Sequence, residues 1–432
     1  MFVSDCLQIN ESGHLTIGGM DTVALAEQFG TPAYIMDENQ LRQNCREYLR
    51  SIEQFYGGHG LPLYASKACC CTEICRIMAE EGMGLDVCSG GEIFTALRAG
   101  FPPERMYFHG NNKTPAEIDY AVRENIGHFV VDNLEELRGL GAVAVAQGRR
   151  VRILLRVKPG IDAHTHDFIK TGQIDSKFGF ALETGEALLA AEAALQIPHL
   201  ELCGIHCHIG SQIFDAAPFE LAAEVMLGFL AQIKERFGAE LGVLNLGGGF
   251  GICYDEDDQP LPYAAYIEEV SKVVKATAAR LGLAMPYIIV EPGRSIPGST
   301  GVTLYRVGAV KEIPSVRTYV LIDGGMCDNP RYILYGAKYR VLCANKAADP
   351  ADQMVTVAGR CCESGDLIQE FTRLPAVKPG DVLAVLSTGA YNYAMASHYN
   401  RIPNAPVILV RDGIPRVAVR RENYEDLCRN DL

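Results

Sequence analysis

The chain of 432 residues predicts an α/β protein: a (β/α)8 TIM-type barrel followed by a second, mostly β domain of sandwich or barrel-like kind. Between Pro62 and Gly293 short apolar or β-branched runs alternate with segments of helical spacing, and eight such runs can be counted. Beyond Gly293 the helical period vanishes and short runs are split by turn residues. Eight strands with helices between them suit a closed parallel barrel better than an open doubly wound sheet. With 48% hydrophobic and 21% charged residues, the chain has the composition of a globular protein with a sizeable core.

The strands are expected at Leu63–Ser66, Gly84–Cys88, Met106–His109, His128–Asp132, Val151–Val157, Leu202–His208, Val243–Leu246 and Tyr287–Glu291. Helices fall between them at Thr72–Glu81, Gly91–Ala99, Pro115–Glu124, Leu134–Gln147, Glu183–Leu195, Pro218–Phe237 and Pro262–Leu281, and another at Glu38–Gln54 precedes the first strand. Thr114-Pro115 illustrates the start signal, a capping hydroxyl followed by a proline suited to the first turn. The second half reads as strands at Thr303–Glu312, Thr318–Ile322, Met354–Ala358, Val382–Leu386, Val407–Arg411 and Pro415–Val419, with Asp412-Gly413 a hairpin signal between the last two. The stretch up to Thr31 lacks the barrel pattern and is expected to add to the β part. The resulting division is residues 35–293 for the barrel and 1–34 plus 294–432 for the β domain.

Thirty-nine Lys+Arg against 53 Asp+Glu give a net charge of −14, which argues against nucleic acid or an anionic membrane as partner. No apolar run is long enough to span a membrane, and Met1 to Gln8 lacks the basic start of a secretory leader. Fifteen cysteines, an odd number with adjacent pairs such as Cys361-Cys362, suit reduced thiols and a cytoplasmic protein.

Barrels of this kind place their chemistry at the C-terminal ends of the strands. Lys67 stands there in Tyr64-Ala65-Ser66-Lys67, either as a surface lysine or as an amine that sheds its proton in an uncharged setting and forms Schiff bases. The seventh strand runs into Gly247-Gly248-Gly249-Phe250-Gly251, which has neither the ending of a nucleotide P-loop nor dinucleotide spacing. Its position is that of the recurrent phosphate site of these barrels, so a phosphorylated small molecule or cofactor is expected. Glu291-Pro292-Gly293-Arg294 ends the eighth strand as a salt-bridged end, or as a carboxylate for a ring nitrogen beside a guanidinium for an anion.

His206 and His208 share a face by the strand's period of two, but no third ligand has evident spacing, so no metal is expected. His208, with Ser211 beside it, suits packing against a flat cofactor ring. Cys69-Cys70-Cys71 with Cys75 reads as small packing residues rather than a metal cluster. In the β half, Cys361-Cys362-Glu363-Ser364-Gly365-Asp366 joins a thiol to acidic groups, with a structural cysteine as the alternative. Arg331 and Tyr335, after Asp323-Gly324-Gly325, and Tyr391 complete the candidates.

In order along the chain stand Tyr64-Ala65-Ser66-Lys67, Leu85-Asp86-Val87-Cys88-Ser89-Gly90-Gly91-Glu92, His109-Gly110-Asn111-Asn112-Lys113, Gly204 to Gln212, the glycine loop, Glu291-Pro292-Gly293-Arg294, Cys362-Glu363-Ser364 and Gly389-Ala390-Tyr391. This set resembles the diaminopimelate decarboxylases over nearly the whole chain. They are pyridoxal-phosphate enzymes with an alanine-racemase-like barrel and a β domain, related to ornithine and arginine decarboxylases. The segment Asp162 to Gly172 with Ser176-Lys177-Phe178-Gly179 looks like the diaminopimelate branch, as does Glu363 after Cys362, where ornithine-specific relatives carry Asp. Cys69-Cys70 after Lys67, and a Tyr in Arg331-Tyr332-Ile333-Leu334-Tyr335 where relatives often have Pro, depart from the common pattern.

The resemblance implies conversion of meso-2,6-diaminopimelate to L-lysine and CO2, the last step of lysine biosynthesis, with pyridoxal 5'-phosphate as cofactor. It implies a Schiff base on Lys67, His208 stacked on the ring, and Glu291 at the pyridine nitrogen. Asp86 belongs to the cofactor-binding set, and the phosphate is expected at Ser211, Gly247, Gly248, Gly249, Gly293, Arg294 and Tyr391. The same resemblance implies a homodimer with a shared active site, the partner chain supplying Cys362 as proton donor and Glu363 for the distal ammonium. Arg294, Arg331 and Tyr335, with Tyr391 also in the substrate-binding set, take the distal carboxylate. The alternatives are a decarboxylase of ornithine, arginine or carboxynorspermidine, or a non-catalytic regulatory homologue, against which the presence of Lys67, Glu291 and Cys362 speaks.

Overall fold

The computed structural model describes residues 4–161 and 176–432. Contacts divide the chain into a barrel unit, Asn44–Gly251 with Pro260–Gly293, and a β-rich unit, Met1–Gln43, Ile252–Gln259 and Arg294–Leu432.

In the barrel unit the strands are β1 (Gly60–Ala65), β2 (Gly84–Val87), β3 (Met106–Phe108), β4 (His128–Val131), β5 (Val151–Lys158), β6 (Leu200–His206), β7 (Val243–Asn245) and β8 (Tyr287–Val290). Each pairs in parallel with the next, and Ile288 to Val290 of β8 return to Gly60 to Pro62 of β1, which closes the ring. Helices α1 (Thr72–Glu80), α2 (Gly90–Arg98), α3 (Pro115–Arg123), α4 (Leu134–Gln147), α5 (Glu186–Gln196), α6 (Ala217–Phe237) and α7 (Tyr263–Arg280) connect them. The expected start signal at α3 is a full capping box, in which Thr114 and Glu117 satisfy each other's backbone N–H groups. Ser89 caps α2 and Asn133 caps α4. A two-residue strand, Phe180–Ala181, adds to β5 in parallel; it is too short to have announced itself in the sequence.

Leu63, Tyr107, Val130, Leu154 and Ile289, one from each of five strands, pack together as the barrel's interior core. The interior is therefore filled, and polar groups find room at the strand ends. Gly204 answers to a steric demand, since a Cβ there would lie 2.0 Å from the Val243 carbonyl oxygen. It sits at the irregularity where β6 shifts register against β5.

Just past β3, Lys113 is withdrawn from water with its Nζ donating to Glu136 Oε1 (2.7 Å), Val130 O (2.8 Å) and Gly110 O (3.0 Å). All three ammonium protons are thereby placed. Burial raises the Glu136 carboxyl above its usual range, and the Lys113 charge works against that rise.

The β-rich unit is organised on one long strand, Gly301–Ile313. Its first part pairs antiparallel with Ala33–Asp37 on one side and Val382–Leu386 on the other, and its last part with Arg317–Ile322. Gln353–Ala358 and Leu367–Leu374 extend the sheet, as do Val407–Arg411 and Ile414–Val419. The expected hairpin forms with Arg411 paired to Ile414, and Asp412 and Gly413 both adopt positive φ, the conformation of a type I′ turn. The N-terminal stretch makes a small three-stranded sheet of its own, whose Leu7, Leu15 and Ile17 share a core with Ile35, Val302 and Leu304. No helix among the described residues is long and apolar enough to cross a membrane.

Replacing Lys113 by Met leaves the Glu136 carboxylate buried beside an apolar side chain. Loss of one partner of a buried pair costs about 3–5 kcal/mol, so K113M should show a large drop in urea midpoint, and an unchanged midpoint would mean the pair contributes nothing.

Candidate active site

Glu291 follows β8 directly and is almost fully buried. Asn245, the last residue of β7, donates from Nδ2 to its Oε1 at 2.7 Å. His206, the last residue of β6, holds Nε2 at 3.2 Å from Oε2. His109, directly after β3, places Nε2 2.9 Å from Oε1, close enough for ion pairing but without the alignment of a hydrogen bond. Burial alone would raise the Glu291 carboxyl; the imidazoles of His109 and His206 overcome it and hold the group well below the usual carboxylate range. His206 itself is pushed down to about 4, chiefly by burial, so its ring is neutral near pH 7 and Nε2 carries the donated hydrogen.

Asp86 on β2 lies 3.8 Å from His109 Nε2 and is raised by burial, with the charges of His109 and Lys67 opposing. Lys67 is exposed, two residues past the end of β1 in the turn Ser66–Ala68. Its charge also reaches Glu92, whose carboxyl is raised by burial and whose Oε2 accepts the Cys88 N–H.

His206 and His208, placed on one face by the sequence reading, have different partners. β6 ends at His206, so the period of two no longer governs His208, whose Nδ1 accepts the Gly248 N–H at 3.3 Å. Burial, then the Lys67 charge, keep His208 well below the usual range and hence neutral. Among the described residues the ligand-type groups that converge are His109, His206 and Glu291, which explains why no ligand spacing was visible around the histidine pair.

The glycine loop after β7 is shaped by close backbone approach. A Cβ on Gly248 would lie 2.0 Å from Glu291 O, and one on Gly247 2.4 Å from Cys207 O. The loop after β6 is tied to the glycines by Ile213, which donates to Gly249 O at 2.9 Å and accepts the Gly251 N–H at 3.1 Å. The Gly247 N–H is taken by Asn245 Oδ1 (2.9 Å) and the Gly248 N–H by His208, so these two glycines serve through shape rather than as open donors. Gly293, two residues past Glu291, is buried.

Within the β-rich unit the Arg294 guanidinium stands 4.9 Å and the Arg331 guanidinium 5.1 Å from the Tyr391 ring centre. Arg331 is also 5.4 Å from the Tyr335 ring, and its Nε has no acceptor among the described residues. Arg294 donates to the Tyr254 hydroxyl at 2.6 Å. Tyr391 adopts φ +68, a conformation that strains a non-glycine residue and recurs at functional sites. Cys362 and Glu363 lie on a separate exposed turn, which is held by Asp366 accepting the Cys361 and Met326 N–H groups at 2.6 Å and by Asn400 accepting the Cys362 N–H at 2.7 Å. Of the segment from Asp162 to Gly179, residues 162–175 lie outside the described residues; of the rest, Phe178 faces the Arg156 guanidinium at 4.3 Å.

Asn245, His109 and Glu92 had no stated role in the sequence reading. The rule that strand ends carry the chemistry reaches Asn245 and His109, each at such an end, whereas Glu92 sits inside α2 and shows itself only by its contacts.

The family model described as pyridoxal-dependent decarboxylase, pyridoxal binding domain, matches residues 39–298. The diaminopimelate decarboxylase of Bacillus subtilis (strain 168) is 48% identical over 435 aligned residues, spanning 100% of this chain and 98% of that protein. The chain belongs to the diaminopimelate decarboxylase family. Among solved structures, the M. jannaschii diaminopimelate decarboxylase in co-complex with L-lysine superposes with a TM-score of 0.92 at 34% identity, covering 100% of this chain and 99% of that one. The Helicobacter pylori diaminopimelate decarboxylase complexed with L-lysine gives 0.85 at 33%, covering 94% and 98%.

The family's cofactor is pyridoxal 5'-phosphate. The residues present fit it: a primary amine at Lys67 for its aldehyde, a buried anionic acceptor at Glu291 for its ring nitrogen, and a glycine-shaped loop at the position where barrels hold phosphate.

Two buried histidines give the barrel a pH limit. His128 is held at about 3 and His206 at about 4, mainly by burial, while both return to about 6.5 on unfolding. The unfolded chain therefore takes up the extra protons, and stability present above pH 6.5 is lost as pH falls towards 4. For each histidine the loss between pH 6.5 and 5 is about 2 kcal/mol. The urea midpoint of the cofactor-free protein should fall over that range, and His128→Phe should flatten the fall; identical slopes would contradict it.

Proposed function

We propose that the protein decarboxylates meso-2,6-diaminopimelate to L-lysine and CO2 with pyridoxal 5'-phosphate. Beyond family membership, the observation that carries the substrate is the pair of guanidiniums, Arg294 and Arg331, on one strained tyrosine ring, with Arg331 Nε lacking an acceptor among the described residues. Two cations gathered around an aromatic ring suit an incoming carboxylate, and arginine binds one with two parallel hydrogen bonds.

When bound, the cofactor supplies an electron sink for the pair left behind as CO2 departs. Lys67 offers the amine that holds and releases the cofactor, and Asp86 sets the charge around that amine. Glu291 would serve as the acceptor for the ring nitrogen, and His208, neutral and anchored through Gly248, would pack on the ring. Ser211, the loop Gly247–Gly249, Gly293, Arg294 and Tyr391 take the phosphate, Gly247 and Gly248 through their shape. Arg294, Arg331, Tyr335 and Tyr391 hold the distal carboxylate and Glu363 the distal ammonium, which keeps the distal centre from reacting in place of its chemical twin. Cys362 gives a proton to Cα.

A homodimer whose partner chain supplies Cys362 and Glu363 belongs to the same reading. So does a cytoplasmic location, supported by fifteen cysteines none of which is in a disulfide.

Incubated with candidate amino acids, the purified holoenzyme should release lysine from meso-diaminopimelate, and Lys67→Ala should abolish both turnover and the cofactor's lysine-bound absorbance. Turnover of ornithine or carboxynorspermidine alone would remove this reading. Subunit sharing has its own test: inactive Lys67→Ala and Cys362→Ala chains, mixed and refolded, should regain about a quarter of wild-type activity, because half the dimers are mixed and each has one intact site. No recovery in verified mixed dimers would place Cys362 and Lys67 of one site on one chain.

A further inference from the structure

Glu291 is surrounded by donor groups. Asn245 can face it only as a donor, because the other end of its amide, Oδ1, is fixed by accepting the Gly247 N–H at 2.9 Å. His206 is buried, and its second ring nitrogen, Nδ1, finds no partner among the described residues, so its polar business is the contact with Glu291 Oε2. A buried imidazole that leaves one nitrogen unsatisfied is costly and calls for a role. An ionised carboxylate offers about four acceptor directions. Asn245 and His206 donate to it from the protein side, His109 Nε2 stands 2.9 Å from Oε1, and a protonated carboxyl would give up one acceptor direction to its own O–H.

We propose that His206, acting with Asn245 and His109, is a positioning residue that fixes Glu291 as a pure acceptor aimed at the cofactor's ring nitrogen, so that the barrel selects the protonated ring. A neutral pyridine would present a lone pair to the carboxylate and be repelled, whereas a pyridinium N–H fills the remaining acceptor direction. This inference rests on the role proposed above for Glu291 and extends it from one residue to the contacts that aim it.

The test uses the cofactor-free full chain and two ligands, pyridoxal 5'-phosphate and its 1-deaza analogue, in which C–H replaces the ring nitrogen. Their affinities are compared in wild type, His206→Gln, His206→Asn and Glu291→Gln. The glutamine amide reaches about as far from the backbone as imidazole Nε2, while that of asparagine stops a bond short, so only the first replaces the donor. Wild type should prefer the natural ring, His206→Gln should keep most of that preference, and His206→Asn should lose roughly tenfold or more of it, the scale of one hydrogen bond to a charged group. If His206→Asn does not fold, Asn245→Ser removes the neighbouring donor and should show the same loss. An undiminished preference in the folded donor-loss variant, when Glu291→Gln has lost it, overturns the inference. A preference that is absent in wild type or survives in Glu291→Gln overturns the role of Glu291 instead. A merely structural contribution from His206 would weaken both ligands alike and leave their ratio unchanged, which also counts against the proposal.

Discussion

The rim of the barrel is built around one carboxylate held ionised where water cannot reach it. Withdrawing such a group costs several kcal/mol unless its oxygens are met by donors. At Glu291 the donors arrive from β6 and β7, with the His109 imidazole after β3 alongside, and they meet because the sheet is closed: strands far apart in the chain end side by side at one rim. An open sheet of the same strands would not bring His109 and His206 to the same acceptor. Closure of the fold and ionisation of the site are thus one problem, and the packed interior below the rim leaves the strand ends as the place where polar groups gather.

Much of the barrel was legible in the sequence because its parallel strands are apolar on both faces and its helices carry their own start signals. All eight strands and seven helices stand where alternating runs placed them, with ends shifted by a few residues. The β-rich unit was less legible. Leu367–Leu374 escaped notice because only Ile368 and Leu374 of its residues are buried, with Gln369, Glu370 and Arg373 breaking any apolar run. Val341–Cys343 is three residues long, and Ala33–Asp37 lies beside the long helix Glu38–Tyr56 and takes its place in the sheet only through Gly301–Ile313. Such strands are defined by their neighbours rather than by local pattern.

At the site, residues whose chemistry is rare at a strand end were readable one by one: Lys67, Glu291 and the glycine loop. What could not be read was partnership. His206 and His208 have the spacing of a pair, yet the strand stops between them and each turns to a different partner. Asn245 looked like an ordinary residue of a short apolar strand, and its amide matters because it joins two things distant in sequence, the Gly247 N–H and the Glu291 carboxylate. Glycines 247 and 248 were legible as an anion loop by type, but their N–H groups already have acceptors, so type indicated the place and contacts decided the means.

Specificity poses a different physical problem from catalysis. The reacting and distal ends of the substrate carry the same groups, so no property of the cofactor can distinguish them, and discrimination has to come from protein charges that only the distal end satisfies. In the proposed site Arg331 suits that task because its Nε is buried with no acceptor among the described residues, an arrangement that is unfavourable until an anion arrives. In the proposed site, an amino acid without the distal carboxylate would leave Arg331 Nε without that acceptor. At about 2–5 kcal/mol for such a loss, discrimination would reach roughly 30-fold to a few thousand-fold. The strained backbone at Tyr391, between the two arginines, fits the same logic, since strain persists where surrounding structure holds a side chain in one place.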